Sequence, residues 1–343
     1  MSLSNIYQYI RLDNHSITPK YLQIANAIIH AIELRQLSAD YLLPSINDLS
    51  YELEISRDTA EKAYKYLKKR GIIKSIPGKG YFIGKTDFEH PYKVFLLFNK
   101  LSAHKKIIYD SFVATLGDKA AIDFYIYNND YLLFKKLLAN QKQTYTHYVI
   151  VPHFIDNYQH AANEINLHCK GYVLLLDKLI DGIATPYAAV YENFEKDIYY
   201  ALQQALPQLS KYQTIKIIFP TYSYFPQEII KGLVSFCNEY AFNYQIVHQL
   251  ATEPICKGEV YINLMEEDLV VLLDKILSTT LQVGTDVGII SYNETPLKRF
   301  LLNGITTIST NFSDMGIAAA QSILENSYTH YQVPFSLTVR QSL

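Results

Sequence analysis

The sequence predicts an α/β protein in two parts, an N-terminal winged helix-turn-helix followed by a two-lobed, doubly wound α/β domain. Two patterns lead to this prediction. Up to residue 84, segments with apolar residues at helical spacing, each preceded by a capping residue, are followed by the pattern of a short β-hairpin. From residue 93, apolar strand patterns alternate with helical ones, as in parallel sheets. We therefore divide the 343 residues into domains at 1–84 and 93–343, joined by a polar linker at 85–92.

The first predicted helix lies within residues 18–37, where isoleucines and alanines recur at helical spacing. Thr18 is expected to cap it, with Pro19 in its first turn. Pro44 then breaks the chain. Ser45, with Asp48 three residues later, is typical of an acidic capping box at the start of a second short helix.

The third helix is predicted from Ser56, a good N-cap, to a stop at Gly71. About three residues separate it from the second helix, which is the connection of a helix-turn-helix. Residues 72–84, with the sequence IIKSIPGKGYFIG, then predict two strands joined by a turn at Pro77 and Gly78. A hairpin after a helix-turn-helix is the wing of a winged helix.

Charge is distributed unevenly along the chain. The formal net charge is −2, yet residues 55–85 contain nine Lys and Arg against two Asp and Glu. A basic segment on an otherwise acidic chain predicts a polyanion as the partner of that segment alone. On charge alone, a solvated lysine face that binds nothing remains the alternative. The helix caps, the turn and the wing follow one another in the order of a winged helix, which favours double-stranded DNA as the partner of this segment.

In a helix-turn-helix, the helix after the turn enters the major groove with its N-terminal residues nearest the bases. Arg57 suits bidentate contact with guanine. Lys65, Lys68, Lys69 and Arg70 are expected at phosphates or in solvent. The candidate DNA-binding residues are Ser45, Arg57, Asp58, Thr59, Lys62, Lys65, Lys79 and Gly80.

Three segments, TPKYLQIANAIIHAI, LLPSINDLSYELEISRDTAEKAYKYLKKRGII and SIPGKGYFI, resemble in order the winged helix of the GntR family of bacterial regulators. The resemblance implies a homodimer on pseudo-palindromic operator DNA. It also implies that Ser45, Arg57, Thr59, Lys62 and Gly80 occupy DNA-contacting positions. The family usually has Arg two residues after its Pro-Ser, where this chain has Asn47, so one contact of the family is expected to be absent.

The second part contains regularly spaced buried-strand patterns with helical patterns between them. Its length favours two lobes over one. We expect lobe 1 at roughly 93–191 plus 310–328, and lobe 2 at roughly 192–309 plus 329–343. The strand patterns are VFLLF, AIDFYIY, HYVIVP, GYVLLLD, TIKIIFP, VYINLM and DVGIISY.

Polar and aromatic residues follow these strands at their carboxyl ends, where ligands bind in this architecture. Asp, Asn and Glu beside aromatic rings suit a sugar, whose hydroxyls need hydrogen-bond partners around apolar ring faces. The candidate effector-binding residues are Asn99, Ser102, His153, Asp177, Tyr222, Glu228, Glu266 and Asn293.

Residues 286–325 resemble the C-terminal signature of the LacI/GalR regulators and their periplasmic sugar-binding relatives. The matching pieces are Tyr292-Asn293, the strand ITTI at 305–308 and the helix containing Met315-Gly316. The resemblance implies a periplasmic-binding-protein-like effector domain and supports Asp177, Glu266 and Asn293 as lining residues. Asn293 replaces the family's ligand Asp, and Ile229 stands where the family has a ligand Arg, so the usual sugar clamp is absent.

The sequence thus predicts a transcription regulator, with repressor favoured by family habit, whose effector is a sugar or sugar derivative such as a pentose or deoxyhexose. No P-loop, G-x-S-x-G, HExxH or G-x-G-x-x-G motif predicts catalysis. The three cysteines lack zinc-ligand spacing, and no signal peptide or membrane span is expected, so we predict a cytoplasmic protein without cofactor or membrane partner. Two alternatives remain: a ligand-independent dimeric DNA-binding protein, and a sugar or nucleotide enzyme with an accessory winged helix.

Overall fold

A computed structural model describes residues 6–84, 86, 92–141, 144–154, 160–221, 223 and 225–343. The N-terminal part is a winged helix, as predicted. Three helices pack over a small antiparallel sheet of strand order β1-β3-β2. The elements are α1 (Lys20–Glu33), β1 (Leu42–Leu43), α2 (Ile46–Glu52), α3 (Arg57–Lys69), β2 (Ile73–Ile76) and β3 (Gly80–Ile83).

Two of the predicted helix caps are confirmed. Ser45 Oγ accepts the N–H of Asp48 at 3.1 Å, and the Asp48 carboxylate accepts the N–H of Ser45 at 3.3 Å, which completes the capping box. Ser56 Oγ accepts the N–H of Thr59 at 3.1 Å at the start of α3. The expected Thr18 cap is wrong, because its hydroxyl instead accepts the N–H of Phe124, in the following domain, at 2.8 Å.

Lobe 1 is a six-stranded parallel sheet of order β14-β8-β7-β6-β4-β5, covered by helices on both faces, in which β14 (His330–Gln332) comes from near the end of the chain. Every residue of its central strand β6 is buried, which agrees with the apolar run that follows the first residue of this strand, His147. Its elements are β4 (Tyr92–Phe98), α4 (Ala103–Leu116), β5 (Ala120–Ile126), α5 (Tyr131–Ala139), β6 (His147–Ile150), α6 (Ala161–His168), β7 (Tyr172–Asp177) and β8 (Ala188–Tyr191).

Lobe 2 is a second six-stranded sheet, of order β10-β9-β11-β12-β13-β15, parallel except for its edge strand β15. Its helices also lie on both faces. Its elements are α7 (Phe194–Gln204), α8 (Leu206–Leu209), β9 (Thr214–Ile218), α9 (Glu228–Glu239), β10 (Asn243–Val247), β11 (Glu259–Asn263), α10 (Glu266–Leu277), β12 (Val287–Tyr292) and β13 (Thr306–Thr310), with β15 (Phe335–Thr338) entering from the end of the chain.

The chain passes between the lobes three times, after β8, after β13 and after β14. The return to lobe 1 contains α11 (Phe312–Leu324), which packs along α4, and β14 (His330–Gln332). We expected residues after 328 to belong to lobe 2. That boundary is too early, because β14 pairs in parallel with β8 of lobe 1 before the chain crosses back to β15.

Candidate functional site

The N-terminal half of α3 presents a charged surface to solvent. Arg57, Asp58, Lys62 and Lys65 are all exposed. Ion pairs along the helix hold their side chains: Lys62 contacts Asp58 at 2.7 Å, and Lys65 contacts Glu61 at 2.8 Å. The hydrogen bond with Asp58 raises the pKa of Lys62 above its ordinary value. The candidate contact residues of this helix therefore lie on one accessible face.

Asn47 stands where the GntR family usually has Arg. It contacts Arg57, the residue that is predicted to bind a guanine. Its Oδ1 accepts a hydrogen bond from Arg57 Nε at 3.3 Å, while Arg57 Nη1 lies 3.6 Å from Glu61. The hydroxyl of Ser45 caps α2, and the hydroxyl of Thr59 lies 2.8 Å from Oγ of Ser56, the cap of α3. The guanidinium of Arg57 is thus positioned by neighbours on two helices.

The wing is a tight turn between β2 and β3. Gly78 and Gly80 have φ of +73° and +106°, a region that favours glycine, and Lys79 is exposed between them. At the base of the wing, Lys68 Nζ donates to Ser75 Oγ at 2.7 Å. Lys79 therefore projects from a turn whose geometry depends on its glycines.

Arg70, expected at a phosphate or in solvent, is used within the protein. It pairs with Asp118 of lobe 1 and lies over the ring of Tyr66, with its Cζ 4.6 Å from the ring centroid. Its side chain is 16% exposed. The C-terminal end of α3 therefore faces lobe 1.

A cavity of about 440 Å³ lies between the lobes, at the carboxyl ends of their strands. This is the position predicted for the architecture, and the size is ordinary for a small-molecule site. Glu228 is not one of its lining residues, which corrects that prediction, and Tyr222 lies outside the described residues. The predicted residues that do line the cavity are Asn99, Ser102, His153, Asp177, Glu266 and Asn293.

Asp177 is the centre of a buried polar cluster on the lobe 1 side. It pairs with Lys105, and His153 Nε2 lies 2.8 Å from its Oδ2. Burial by itself would raise the pKa of Asp177, but the charge of Lys105 and the contact with His153 hold it well below its usual range. Burial lowers the pKa of His153 despite its carboxylate partner. This cluster therefore contains a carboxylate, a lysine ammonium and a neutral imidazole.

Glu192, at the first crossing between the lobes, adds a carboxyl group to this cluster. Burial, together with the charge of Asp177, raises the pKa of Glu192 well above its ordinary value. A protonated Glu192 donates a hydrogen bond, which an ionised carboxylate cannot do. Neither Glu192 nor Lys105 was predicted, because a buried charge is recognised only once its partners are known.

Several buried polar atoms of the cavity wall have no hydrogen-bond partner among the described residues. Asn99 Oδ1 and His104 Nε2 come from lobe 1, and Asn293 Oδ1 comes from lobe 2. Asn99 is 1% exposed. Burial of an unpaired polar atom is costly, so such atoms point to a missing partner such as a ligand or water.

The lobe 2 wall is largely apolar. It is formed by Phe194, Phe225, Pro226, Leu264, Met265 and Leu297, with Tyr292 between them. Ile229, at the family's Arg position, is fully buried in the core of lobe 2. The cavity thus combines polar groups with aromatic and apolar side chains, but it lacks the Arg that the LacI/GalR regulators have at position 229.

Lys298, which was not predicted from the sequence, supports the lobe 2 side of the cavity without lining it. It is 1% exposed, donates to the carbonyl oxygens of Tyr292 and Asn293 at 3.0 and 2.6 Å, and pairs with Glu266 at 2.9 Å. Burial lowers its pKa, and the contact with Glu266 opposes this. Asn293 itself has φ of +65°. The strand end that presents Asn293 is thus fixed by a buried lysine.

Among the described residues, no group of three or more His, Cys, Asp or Glu is arranged to hold a metal ion. In the same part of the chain, no helix is long and apolar enough to cross a membrane.

Comparisons with known proteins match the two parts of the chain separately. Residues 20–83 match the family described as bacterial regulatory proteins, gntR family. The uncharacterized HTH-type transcriptional regulator YhcF of Bacillus subtilis (strain 168) is 30% identical over 74 residues. Those residues are 21% of this chain and 61% of that relative, so the match spans less than two thirds of its length.

Solved structures resemble the larger part in fold. A dimeric Lac repressor with an 11-residue C-terminal deletion has a TM-score of 0.61 at 15% identity, over 73% of this chain and 98% of its own. A LacI family transcriptional regulator from Enterococcus faecium, solved with bound ribose, has a TM-score of 0.57 at 16% identity over the same shares. This chain therefore joins a gntR-type helix-turn-helix domain at residues 20–83 to two parallel-sheet lobes with the fold of the Lac repressor.

Proposed function

We propose that this protein is a transcription regulator that binds operator DNA through its winged helix and a small polar effector between its two lobes. The observation that carries the proposal is the cavity with unpaired buried polar atoms from both lobes, on the same chain as an exposed basic recognition helix.

The proposed effector is a sugar or sugar derivative, such as a pentose or deoxyhexose. Amide oxygens and a neutral imidazole provide partners for hydroxyl groups, and the aromatic wall provides a surface for the C–H face of a sugar ring. The similar fold of a regulator solved with ribose supports the same class of ligand. The loss of the Arg position to Ile229 favours a neutral ligand over a phosphorylated one.

The proposed DNA complex is a homodimer on a pseudo-palindromic operator, with one α3 in each major-groove half-site. An effector that binds one arrangement of the lobes better than another changes operator affinity. Repression is the proposed sign of regulation.

Thermal unfolding in the presence of pentoses, hexoses, deoxysugars and their phosphates tests the effector. A ligand at 100 times its Kd stabilises the folded protein by about 2.7 kcal/mol if it binds that state alone. Asn293→Gly removes a cavity amide at a position where φ is positive, so the backbone tolerates the change. We expect the variant to lose most of the ligand-induced shift.

Asn303→Gly is the matched control, since Asn303 has φ of +61°, is exposed and does not line the cavity. It should retain the full shift. An equal shift in both variants would place the ligand elsewhere. No shift with any sugar, together with intact DNA binding, would favour the ligand-independent dimer.

A further inference from the structure

The winged helix is attached to the edge of the lobe 1 sheet through residues 13–18, which we call the arm. The outermost strand of that sheet is β5. Ser16 forms an antiparallel bridge to this strand, and the N–H of Ile17 donates to the carbonyl oxygen of Phe124 at 2.8 Å. The N–H of Phe124 donates in turn to Thr18 Oγ1 at 2.8 Å. The arm therefore pairs with backbone groups that an edge strand otherwise leaves open.

The arm is also bound to the winged helix. Gln23 of α1 accepts the N–H of Asp13 at 2.7 Å through Oε1, and its Nε2 donates to the carbonyl oxygen of Thr18 at 2.8 Å. One side chain thus ties both ends of the arm to α1. Movement of the arm relative to β5 is therefore movement of the DNA-binding domain relative to lobe 1.

Within the part of the chain that the structure describes, two ion pairs also join the domains. Lys93 of β4 lies 2.8 Å from Glu33 at the end of α1. Arg70, the C-cap residue of α3, pairs with Asp118 beyond the end of α4. The Asp118 side chain is 82% exposed, so this pair is worth at most about 1 kcal/mol. Docking thus combines the backbone pairing of the arm with one largely buried and one exposed ion pair.

Helix α4 connects this contact with the cavity. Its N-cap Ser102 and its first-turn residues His104 and Lys105 line the cavity. Its last residue, Leu116, lies two positions before Asp118. At 1.5 Å per residue, its 14 residues span about 21 Å. One continuous helix therefore has a ligand-facing start and an end beside the recognition helix.

We infer that docking of the winged helix on lobe 1 couples the cavity to the recognition helix, and that the docked arrangement is the one competent for operator DNA. The exposed N-terminal face of α3 stays free in this arrangement while its C-terminal end is held. A fixed domain lowers the entropic cost of aligning two recognition helices on two half-sites. This inference rests on the proposed function, because it concerns how operator binding is controlled.

The test uses the full-length double variant Lys93→Glu/Asp118→Lys, which places like charges at both interdomain ion pairs. Amide hydrogen exchange of peptides covering the arm and β5 reports docking. Affinity for a duplex selected by the unsubstituted protein from a random pool reports operator binding. We expect exchange in the arm to become at least about tenfold faster and operator affinity to fall at least about fivefold, the lower end of typical coupling.

Three further variants make the result specific. Adding Glu33→Lys to the double variant restores one opposite-charge pair and should recover part of both changes. Thr18→Val removes the acceptor for Phe124 without a change of charge and should act in the same direction. Lys257→Glu/Asp274→Lys places the same charge changes on exposed positions of lobe 2 and should leave docking and operator affinity unchanged.

Operator affinity within about twofold of the unsubstituted protein, despite faster exchange in the arm, would overturn the coupling. Unchanged exchange in a folded double variant would overturn the docking itself. Failure of the unsubstituted protein to select or bind any duplex is a different result, since it would overturn the proposed function and this inference with it.

Discussion

At the scale of single residues, the Arg57–Asn47 pair shows how a departure from a family pattern is absorbed. Asn47 has no charge to offer a phosphate, yet its Oδ1 accepts from Arg57 Nε and leaves the two terminal nitrogens of the guanidinium for other contacts, of which Nη1 lies 3.6 Å from Glu61. A bidentate contact with guanine uses such nitrogens. The side chain that replaces a DNA contact thereby orients its neighbour.

Arg57→Ala should therefore lower affinity for the selected operator by about 1–3 kcal/mol and relax preference at one base position.

Lys79→Ala, which removes an exposed wing lysine, should instead weaken binding to all duplexes and reduce the salt dependence by about one ion per site. Fluorescence anisotropy on operator and scrambled duplexes over a range of salt separates the two. Equal losses on both duplexes for Arg57→Ala would contradict its base-reading role.

Single residues also mark the limits of prediction from sequence. Asn99, Asp177 and Asn293 were predictable because each lies at the carboxyl end of a strand, and such ends meet at one edge of a parallel sheet. Lys105 and Lys298 were not, because their burial depends on partners more than 30 residues away in the chain. Thr18 has the sequence position of a cap, but its hydroxyl accepts a hydrogen bond from Phe124, on a strand distant in the chain.

At the scale of elements, the packing of α11 against α4 depends on a glycine. A Cβ on Gly316 would lie 2.1 Å from Ser111 Oγ and 2.4 Å from the carbonyl oxygen of Ile108. The second distance is to backbone, which cannot rotate away. The helix that contributes to the cavity and to the interdomain contact is therefore held by close backbone approach, a feature that local sequence patterns do not disclose.

Gly316→Ala should push the two helices apart and lower the free energy of unfolding by about 1–3 kcal/mol, as overpacking usually does, although alanine favours the helix itself. Denaturant titration followed by circular dichroism measures the change. Ser313→Ala, on the exposed side of the first turn of α11, is the control and should stay within about 0.5 kcal/mol of the unsubstituted protein. A stabilised Gly316→Ala variant would show that α4 yields easily.

Element boundaries were also predictable where neighbouring residues determine them, and not where a contact distant in the chain does. The caps at Ser45 and Ser56 were predictable because capping is decided within four residues. The assignment of β14 to lobe 1 was not, because a three-residue strand with every side chain exposed has no apolar pattern. Its place is decided by pairing with β8, about 140 residues earlier in the chain.

At the scale of the whole molecule, the lobes meet near their three crossings, and one contact there joins α7 of lobe 2 to β14 of lobe 1. Gln332 Nε2 donates to Asp197 Oδ1 at 3.1 Å, while Asp197 Oδ2 is buried without a partner among the described residues. Burial raises the pKa of Asp197 to about 6. The joint between the lobes therefore contains a carboxyl group that titrates close to neutral pH.

The sign of the resulting pH dependence follows from proton linkage. Below about pH 4 the carboxyl group of Asp197 is protonated in both the folded and the unfolded chain. Between about pH 4 and 6 the unfolded chain loses this proton while the folded protein keeps it, so the free energy of unfolding falls as pH rises. With allowance for solvent screening, the loss is roughly 1–2 kcal/mol and is complete above the folded pKa.

Asp197→Asn removes this titration and keeps an oxygen that accepts from Gln332. The variant should be more stable than the unsubstituted protein by roughly 1–2 kcal/mol at pH 7.5, with the difference shrinking to nothing near pH 4. Urea denaturation at a series of pH values gives this difference directly, and other titrating groups cancel in it. Asp274→Asn, at an exposed position of lobe 2, is the control for the loss of a carboxylate. A flat profile for Asp197→Asn would mean that water reaches Asp197 in the folded protein and that the joint between the lobes is open.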